Sequence, residues 1–200
     1  MIRLLRRTCA LFVVVSCCVS AQAADILFTA QADKPMATLT REHGMVRGVV
    51  DEPLVTVYGD GLVRVNRAPY MINPGVTEYR LDADALKQLV IALSATFDLD
   101  AERLTHERDA AAESLARNTG EQFVTLDSTI TRISVELDGF SRNGKSVGPV
   151  NKSLSFADVQ EQALRYNVDS LQALARAESA LLDLMKEATN AREGDDANQK

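Results

Sequence analysis

The chain has no tryptophan, only two histidines, and three cysteines that all fall within its first 23 residues (Cys9, Cys17 and Cys18). From Ala24 onward there is no thiol. That excludes a cysteine nucleophile, cysteine-ligated zinc and intrachain disulfides from the remaining 177 residues, whose core must hold by packing alone. Positive charge is also short: 28 acidic residues stand against 22 basic ones, a net charge of −6. No basic stripe interleaved with aromatics offsets this field, so nucleic acid and anionic membrane surfaces are disfavoured as partners. Beyond the N-terminal segment no apolar run approaches the roughly 20 residues that a membrane-spanning helix needs.

That N-terminal segment, MIRLLRRTCALFVVVSCCVSAQA, carries the clearest message in the chain. Arg3, Arg6 and Arg7 form a positive start, Thr8 to Val19 an uncharged apolar run, and Ala21-Gln22-Ala23 a small-residue cleavage site. It reads as a bacterial export signal cut after Ala23, which predicts a periplasmic product. Cleavage would remove three cations and no acid, leaving a net charge of about −9. Val14-Val15-Ser16-Cys17 resembles a lipobox, which would instead anchor the product to a membrane through Cys17. Only about nine apolar residues precede that cysteine, so cleavage at Ala23 is the preferred reading. Residues flanking Arg6-Arg7 depart from the twin-arginine pattern.

Along the exported part, Asp25 to Ala30 reads as a short strand or an unstructured entry, and Gln31 to His43, with Pro35, as a loop. Met45 to Val50 is a weak strand broken by Gly48. Leu54 to Tyr58 and Leu62 to Val65 alternate β-branched residues around Gly59-Asp60-Gly61, which predicts a β-hairpin over Leu54–Val65. Asp60 is assigned to the turn, where its carboxylate accepts backbone N–H groups. Tyr70, Met71 and Ile72 lie in a loop bounded by two prolines, and either dock on the sheet or form a small exposed patch, docking being the preferred reading because isolated apolar loop residues are common.

Thr77–Leu81 is expected to be a strand. Asp82 caps a helix over Ala83–Phe97, whose Leu86, Leu89, Val90, Leu93 and Phe97 share one face. Asp100 caps a polar surface helix over Ala101–Arg117, closed by Gly120. Phe123 to Leu126 and Ile130–Leu137 read as strands, the second with Ile133, Val135 and Leu137 on one side. An Asn-Gly turn then leads into an edge strand over Lys145 to Val150. Ser155 and Asp158 approximate a capping box for a helix over Phe156–Tyr166. A longer helix over Ser170–Ala191 carries the stripe Leu171, Leu174, Leu181, Leu182 and Met185, assigned to packing on the protein's own sheet. Residues 192–200 read as a disordered polar tail. Together these predict a single α+β domain over residues 24–191, an antiparallel sheet packed against helices.

Chemical motifs are sparse. His106-Glu107 begins like a metalloprotease HExxH, but Ala110 stands where the second histidine belongs. Asp98-x-Asp100-x-Glu102 lacks the glycine of a calcium loop, because Arg103 occupies that position. Asp82-x-Asp84 is a cap plus a first-turn carboxylate. Neither a Gly-x-Ser-x-Gly elbow, a phosphate-binding loop nor a dinucleotide fingerprint occurs. No catalytic, cofactor-binding or metal residue is assigned, and no cofactor is expected.

The segment DEPLVTVYGDGLVRVNRAPYMINPGVTEYRL (Asp51 to Leu81), followed by the helix from Leu86 to Phe97, resembles a group of uncharacterised exported bacterial proteins. Their shared elements are a TVYGDGxV hairpin, a Pro-Tyr-Met loop, and a strand and helix. The strand ITRISVEL and the leucine-rich final helix are similar in placement. That resemblance implies an exported α+β domain and carries no activity or site residue. The expected function is a non-catalytic binding or envelope accessory module, with a protein or envelope partner. Two alternatives stand beside it: a cofactor-independent hydrolase using carboxylates or a Ser-His pair with His43 or His106, and a lipid-anchored envelope structural protein attached at Cys17. A binding module should expose an apolar patch or an open sheet edge, around Tyr70–Ile72 or Lys145–Val150.

Overall fold

The structure, a computed structural model, describes residues 26–43, 52–71, 73–123 and 127–198, with side chains described except at position 43 and from 190 onward. In chain order the elements are β1 (Ile26–Thr29), β2 (Pro35–His43), β3 (Val55–Tyr58), β4 (Leu62–Arg67), β5 (Gly75–Arg80), α1 (Ala83–Ser94), α2 (Ala101–Thr119), β6 (Thr129–Arg142), β7 (Lys145–Ala157), α3 (Val159–Tyr166) and α4 (Asp169–Asn198). Among the described residues, seven antiparallel strands and four helices make an α+β fold.

Local chemistry accounts for most of these elements. In the β3–β4 hairpin, Gly61 N–H returns to Tyr58 O at 3.0 Å and Asp60 Oδ1 accepts Leu62 N–H at 3.0 Å. Asp82 accepts Ala85 N–H at 2.8 Å and caps α1, and Asp100 accepts Arg103 N–H at 2.7 Å and caps α2. Asn143 and Gly144 both adopt positive φ (53° and 72°), the backbone of a type I′ turn, and join β6 to β7.

β6 organises the sheet because it is long enough to serve several partners. One of its edges pairs with β7, and the other pairs with β2 over Thr129–Val135 and with β1 over Gly139–Arg142. Beyond β2 come β3, β4 and β5 in sequence order. Period-two alternation sends Leu39, Val55, Val57, Val63, Val65, Ile133, Val135 and Leu137 to one side, all essentially buried. There they meet Leu171, Leu174 and Leu181 of α4, which contacts β2, β3, β4 and β5. Each such leucine contributes about 1.5–3 kcal/mol of burial. α1 lies alongside α4, burying Leu86, Leu89, Val90 and Leu93. Just past it, Phe97 meets Phe140 edge-to-face at 4.9 Å. α2 buries Leu104 alone, as a surface helix should. Thr38, Thr56, Arg64, Asn66, Arg132, Ser134 and Ser153 alternate with the core positions and make the opposite face polar.

The structure corrects several expectations. Pro35–His43 is not loop but strand β2, set between β3 and β6 near the middle of the sheet. Pro35 is tolerated because it is the strand's first residue, and a register shift follows at Met36. Phe156 belongs to β7, opposite Thr131, and α3 starts three residues later at Val159. No capping box forms there. Asp158 adopts a left-handed backbone, and its carboxylate accepts Thr129 N–H at 2.8 Å while its own N–H reaches Thr129 O at 2.8 Å. Closing the β6–β7 ladder thus takes the place of capping α3. β7 extends through Ala157 where only Lys145 to Val150 was expected. α1 ends at Ser94, and Thr96 Oγ1 donates to Leu93 O at 2.7 Å in the turn that follows. α4 begins at Asp169 and runs past Ala191 to Asn198, since its final residues include helix formers and no proline. Phe123 stands outside any strand, and the rest of that expected strand lies outside the described residues. Met45 to Val50, Ile72 and the N-terminal segment with Cys17 also lie outside them.

Candidate functional site

Polar residues placed in apolar phase are the first sign of specialised structure. Arg41 follows Leu39 by two on β2, Thr131 precedes Ile133 by two on β6, and Glu178 lies four after Leu174 and three before Leu181 on α4. All three therefore point between sheet and helix. Glu178 is fully buried. Thr131 Oγ1 donates to its Oε1 at 2.6 Å, Gln160 Nε2 donates to its Oε2 at 2.9 Å, and Arg41 Nε lies 3.4 Å from Oε1. A buried carboxylate needs this saturation, because leaving it unpaired costs several kcal/mol. The cluster ties β2, β6, α3 and α4 together and fixes the Arg41 guanidinium at the end of the sheet.

From Arg41 the structure opens onto two adjoining depressions. One, of about 220 Å³, is lined by Arg41, Glu52, Leu54, Asn66, Ala68, Pro69 and Tyr70. Its neighbour on the open face, about 260 Å³, is lined by Pro35, Thr38, Glu52, Pro53, Thr56, Tyr58, Arg64 and Asn66. Glu52 and Asn66 belong to both. Asn66 Nδ2 donates to Glu52 Oε2 at 2.6 Å, so this pair forms the wall that the two depressions share. Each alone is smaller than a typical ligand pocket, and together they fall within its usual range of about 300–1,000 Å³.

The local sequence explains the placement. Thr38 stands opposite Ser134 on one side and Thr56 on the other, and Thr56 stands opposite Arg64, giving a row of polar side chains across the open face. Arg64 lies 3.9 Å from Glu78 of β5. Leu54 N–H donates to Leu39 O at 2.8 Å and Asn66 N–H to Leu54 O at 2.9 Å, which seats the approach to β3 beside Asn66. Tyr70 is 61 % exposed on the rim.

Of the residues singled out from the sequence, Asp60 takes its turn position and adds an ion pair with Arg80 at 2.8 Å. The Leu62 N–H bond, followed by Arg80, holds its carboxyl below the usual carboxylate range. His106 is exposed on α2 and lines neither depression. His43 closes the β2 ladder, and its side chain lies outside the described residues. Glu107, next to His106 on α2, is held low, first by the Ser170 hydroxyl and then by Arg103 at 2.7 Å. Among the described residues no cluster of histidine, cysteine, aspartate and glutamate is arranged to hold a metal ion, and no helix is long and apolar enough to cross a membrane. The open edge expected at Lys145–Val150 exists: among the described residues β7 pairs with β6 alone, with Val147 exposed. Gly148, at a positive φ, and Pro149 interrupt that edge, in the manner of strands protected against pairing. A further depression lies between α2 and α3, against Phe123 and Tyr166, and Arg165 covers the Phe123 ring at 4.0 Å.

Sequence reasoning missed Arg41, Glu52, Asn66 and Glu178. Glu178 left a readable signal, a charge inside a leucine stripe. Glu52 and Asn66 left none, since each is an ordinary polar residue until the hairpin brings them together.

No family model matches this chain, and neither a curated protein nor a solved structure matches it significantly.

Proposed function

We propose that this chain is an exported, non-catalytic binding module of the cell envelope, whose ligand lies in the two depressions around Glu52 and Asn66. The observation that carries this reading is the shared wall itself. A 2.6 Å hydrogen bond between two side chains, 14 residues apart, organises donors and acceptors on both sides of it, beside an exposed Tyr70. Pre-positioned polar groups in a concave, partly apolar setting are what binding sites supply. The signal-like segment ending at Ala23 and the resemblance of the TVYGDGxV hairpin to exported bacterial proteins both support export.

Photo-crosslinking in intact cells tests the binding reading. A photoreactive residue at Tyr70 should give a discrete adduct that the same residue at Leu164, exposed on α3, does not. Absence of an adduct at Tyr70 under all growth conditions would reject the reading. Mass spectrometry of the processed N-terminus tests the address, with a free Ala24 expected and a lipidated Cys17 overturning the unanchored form.

A further inference from the structure

We infer that the ligand of this site is a neutral oligosaccharide, with one sugar ring in each depression. The inference rests on the binding reading above and adds the chemical class.

The open-face depression lies over strands whose main-chain groups are already committed to the ladders between β2, β3 and β4. Recognition there falls to side chains, so an extended peptide adding as a further strand is not what these groups select. The side chains offer mixed donors and acceptors. Thr38 and Thr56 hydroxyls both donate and accept. Asn66, after giving one N–H to Glu52, keeps a second N–H and its carbonyl oxygen, and Glu52 keeps acceptor sites.

Charge narrows the choice. Each guanidinium at the site has a carboxylate nearby, Arg41 with buried Glu178 at 3.4 Å and Arg64 with Glu78 at 3.9 Å, and Glu52 adds a negative group. A polyanion therefore meets carboxylates beside both cations, and the chain's net −6 opposes its approach. A purely apolar ligand would strip water from Thr38, Thr56 and Asn66 without replacing their hydrogen bonds. A neutral sugar satisfies both conditions. Its hydroxyls donate and accept, and its C–H faces suit the Tyr58 and Tyr70 rings and the flat surfaces of Pro35, Pro53 and Pro69. The Glu52–Asn66 pair, facing both depressions, is placed to bond hydroxyls of two consecutive rings.

The experiment is an NMR titration of the full processed chain with neutral oligomers of glucose and of N-acetylglucosamine, from disaccharide to hexasaccharide, with dextran sulfate as the anionic comparison. Saturable shifts are expected at Thr38, Thr56, Tyr58, Asn66 and Tyr70, stronger for longer neutral oligomers than for disaccharides. Asn66→Ala and Tyr70→Ala should each weaken binding about tenfold or more, the scale of one lost hydrogen bond or ring contact. Their circular dichroism and Tm, with Leu164→Ala as a binding control, separate lost contacts from lost folding. No saturable shift with any neutral oligomer at millimolar concentration, or equal binding by both variants, overturns the inference. If Tyr70 crosslinks a protein while every neutral oligomer fails, the sugar assignment falls and the binding reading stands. Should the crosslink fail as well, both fall.

Discussion

Thr131 Oγ1 donates to Glu178 Oε1 at 2.6 Å, joining the start of β6 to the middle of α4 across 47 residues of sequence. Neither side chain has access to bulk water to speak of, so the bond takes the place of hydration that folding removed from the carboxylate.

Glu178→Ala is expected to destabilise the protein by about 3–5 kcal/mol, because Thr131 and Gln160 lose their common acceptor and Arg41 its counter-charge. Glu178→Gln keeps hydrogen-bonding capacity and should cost less. Urea denaturation of the two variants checks the order, and equal losses would mean that the carboxylate's charge alone, not its hydrogen-bonding shape or volume, matters at this position.

Leu181→Ala should cost about 2–5 kcal/mol, since its side chain is fully buried between α4 and the sheet. If α4's leucine stripe served a partner rather than the core, the isolated protein would unfold at an unchanged denaturant midpoint.

Gly61→Ala tests the hairpin. Gly61 has φ of 84°, and an added Cβ would approach Leu81 O to 2.8 Å. Strain of about 1–3 kcal/mol is expected, and calorimetry should find a lowered Tm.

Tyr79 governs behaviour at alkaline pH. Its hydroxyl donates to Leu184 O at 2.8 Å. Burial, reinforced by Glu187, pushes its pKa well above the usual phenol value. The fold thus favours the neutral phenol, and this stabilisation is fully present below the unfolded value of about 10 and lost as pH rises toward the higher folded one. A late-titrating phenol should therefore appear in ultraviolet difference spectra. Tyr79→Phe should abolish that late step.

Asp60 acts at the acid end. Its pKa is lowered by the Leu62 N–H and by Arg80, so its contribution is present above the unfolded carboxyl value of about 4 and lost as pH falls through the folded one. Asp60→Asn retains turn-compatible chemistry without the charge. Its Tm should fall less steeply than the wild type's between about pH 4 and pH 2, and parallel curves would refute the role.

How legible was all this in the chain? The hairpin around Asp60, the caps at Asp82 and Asp100, and the inward phase of Ile133, Val135 and Leu137 each depend on neighbours within a few residues, and each was readable. β2 was not, because Pro35 and the polar run after it lack a strong strand pattern. Its place between β3 and β6 comes from distant pairings such as Leu39 with Ile133. Phe156 misled for the same reason: its fate was settled by Thr131 across the ladder rather than by the Ser155 and Asp158 beside it.

The candidate site was less legible still. Tyr70 stood out as an aromatic in a loop, but docking on the sheet was the preferred reading, and the ring is exposed instead. Glu52 and Asn66 acquired meaning only when a hairpin placed them 2.6 Å apart.

By itself, then, the sequence determined what depends on local spacing: an acidic α+β chain with no cysteine beyond Cys18, its turn and cap chemistry, and its apolar faces. Tertiary structure alone decided that a glutamate in a leucine stripe would accept hydrogen bonds from Thr131 and Gln160 and lie beside Arg41, and that two unremarkable polar residues would wall two depressions. Periodicity records which way a side chain points. It cannot record what waits there, because that partner comes from a remote segment whose arrival depends on the whole fold.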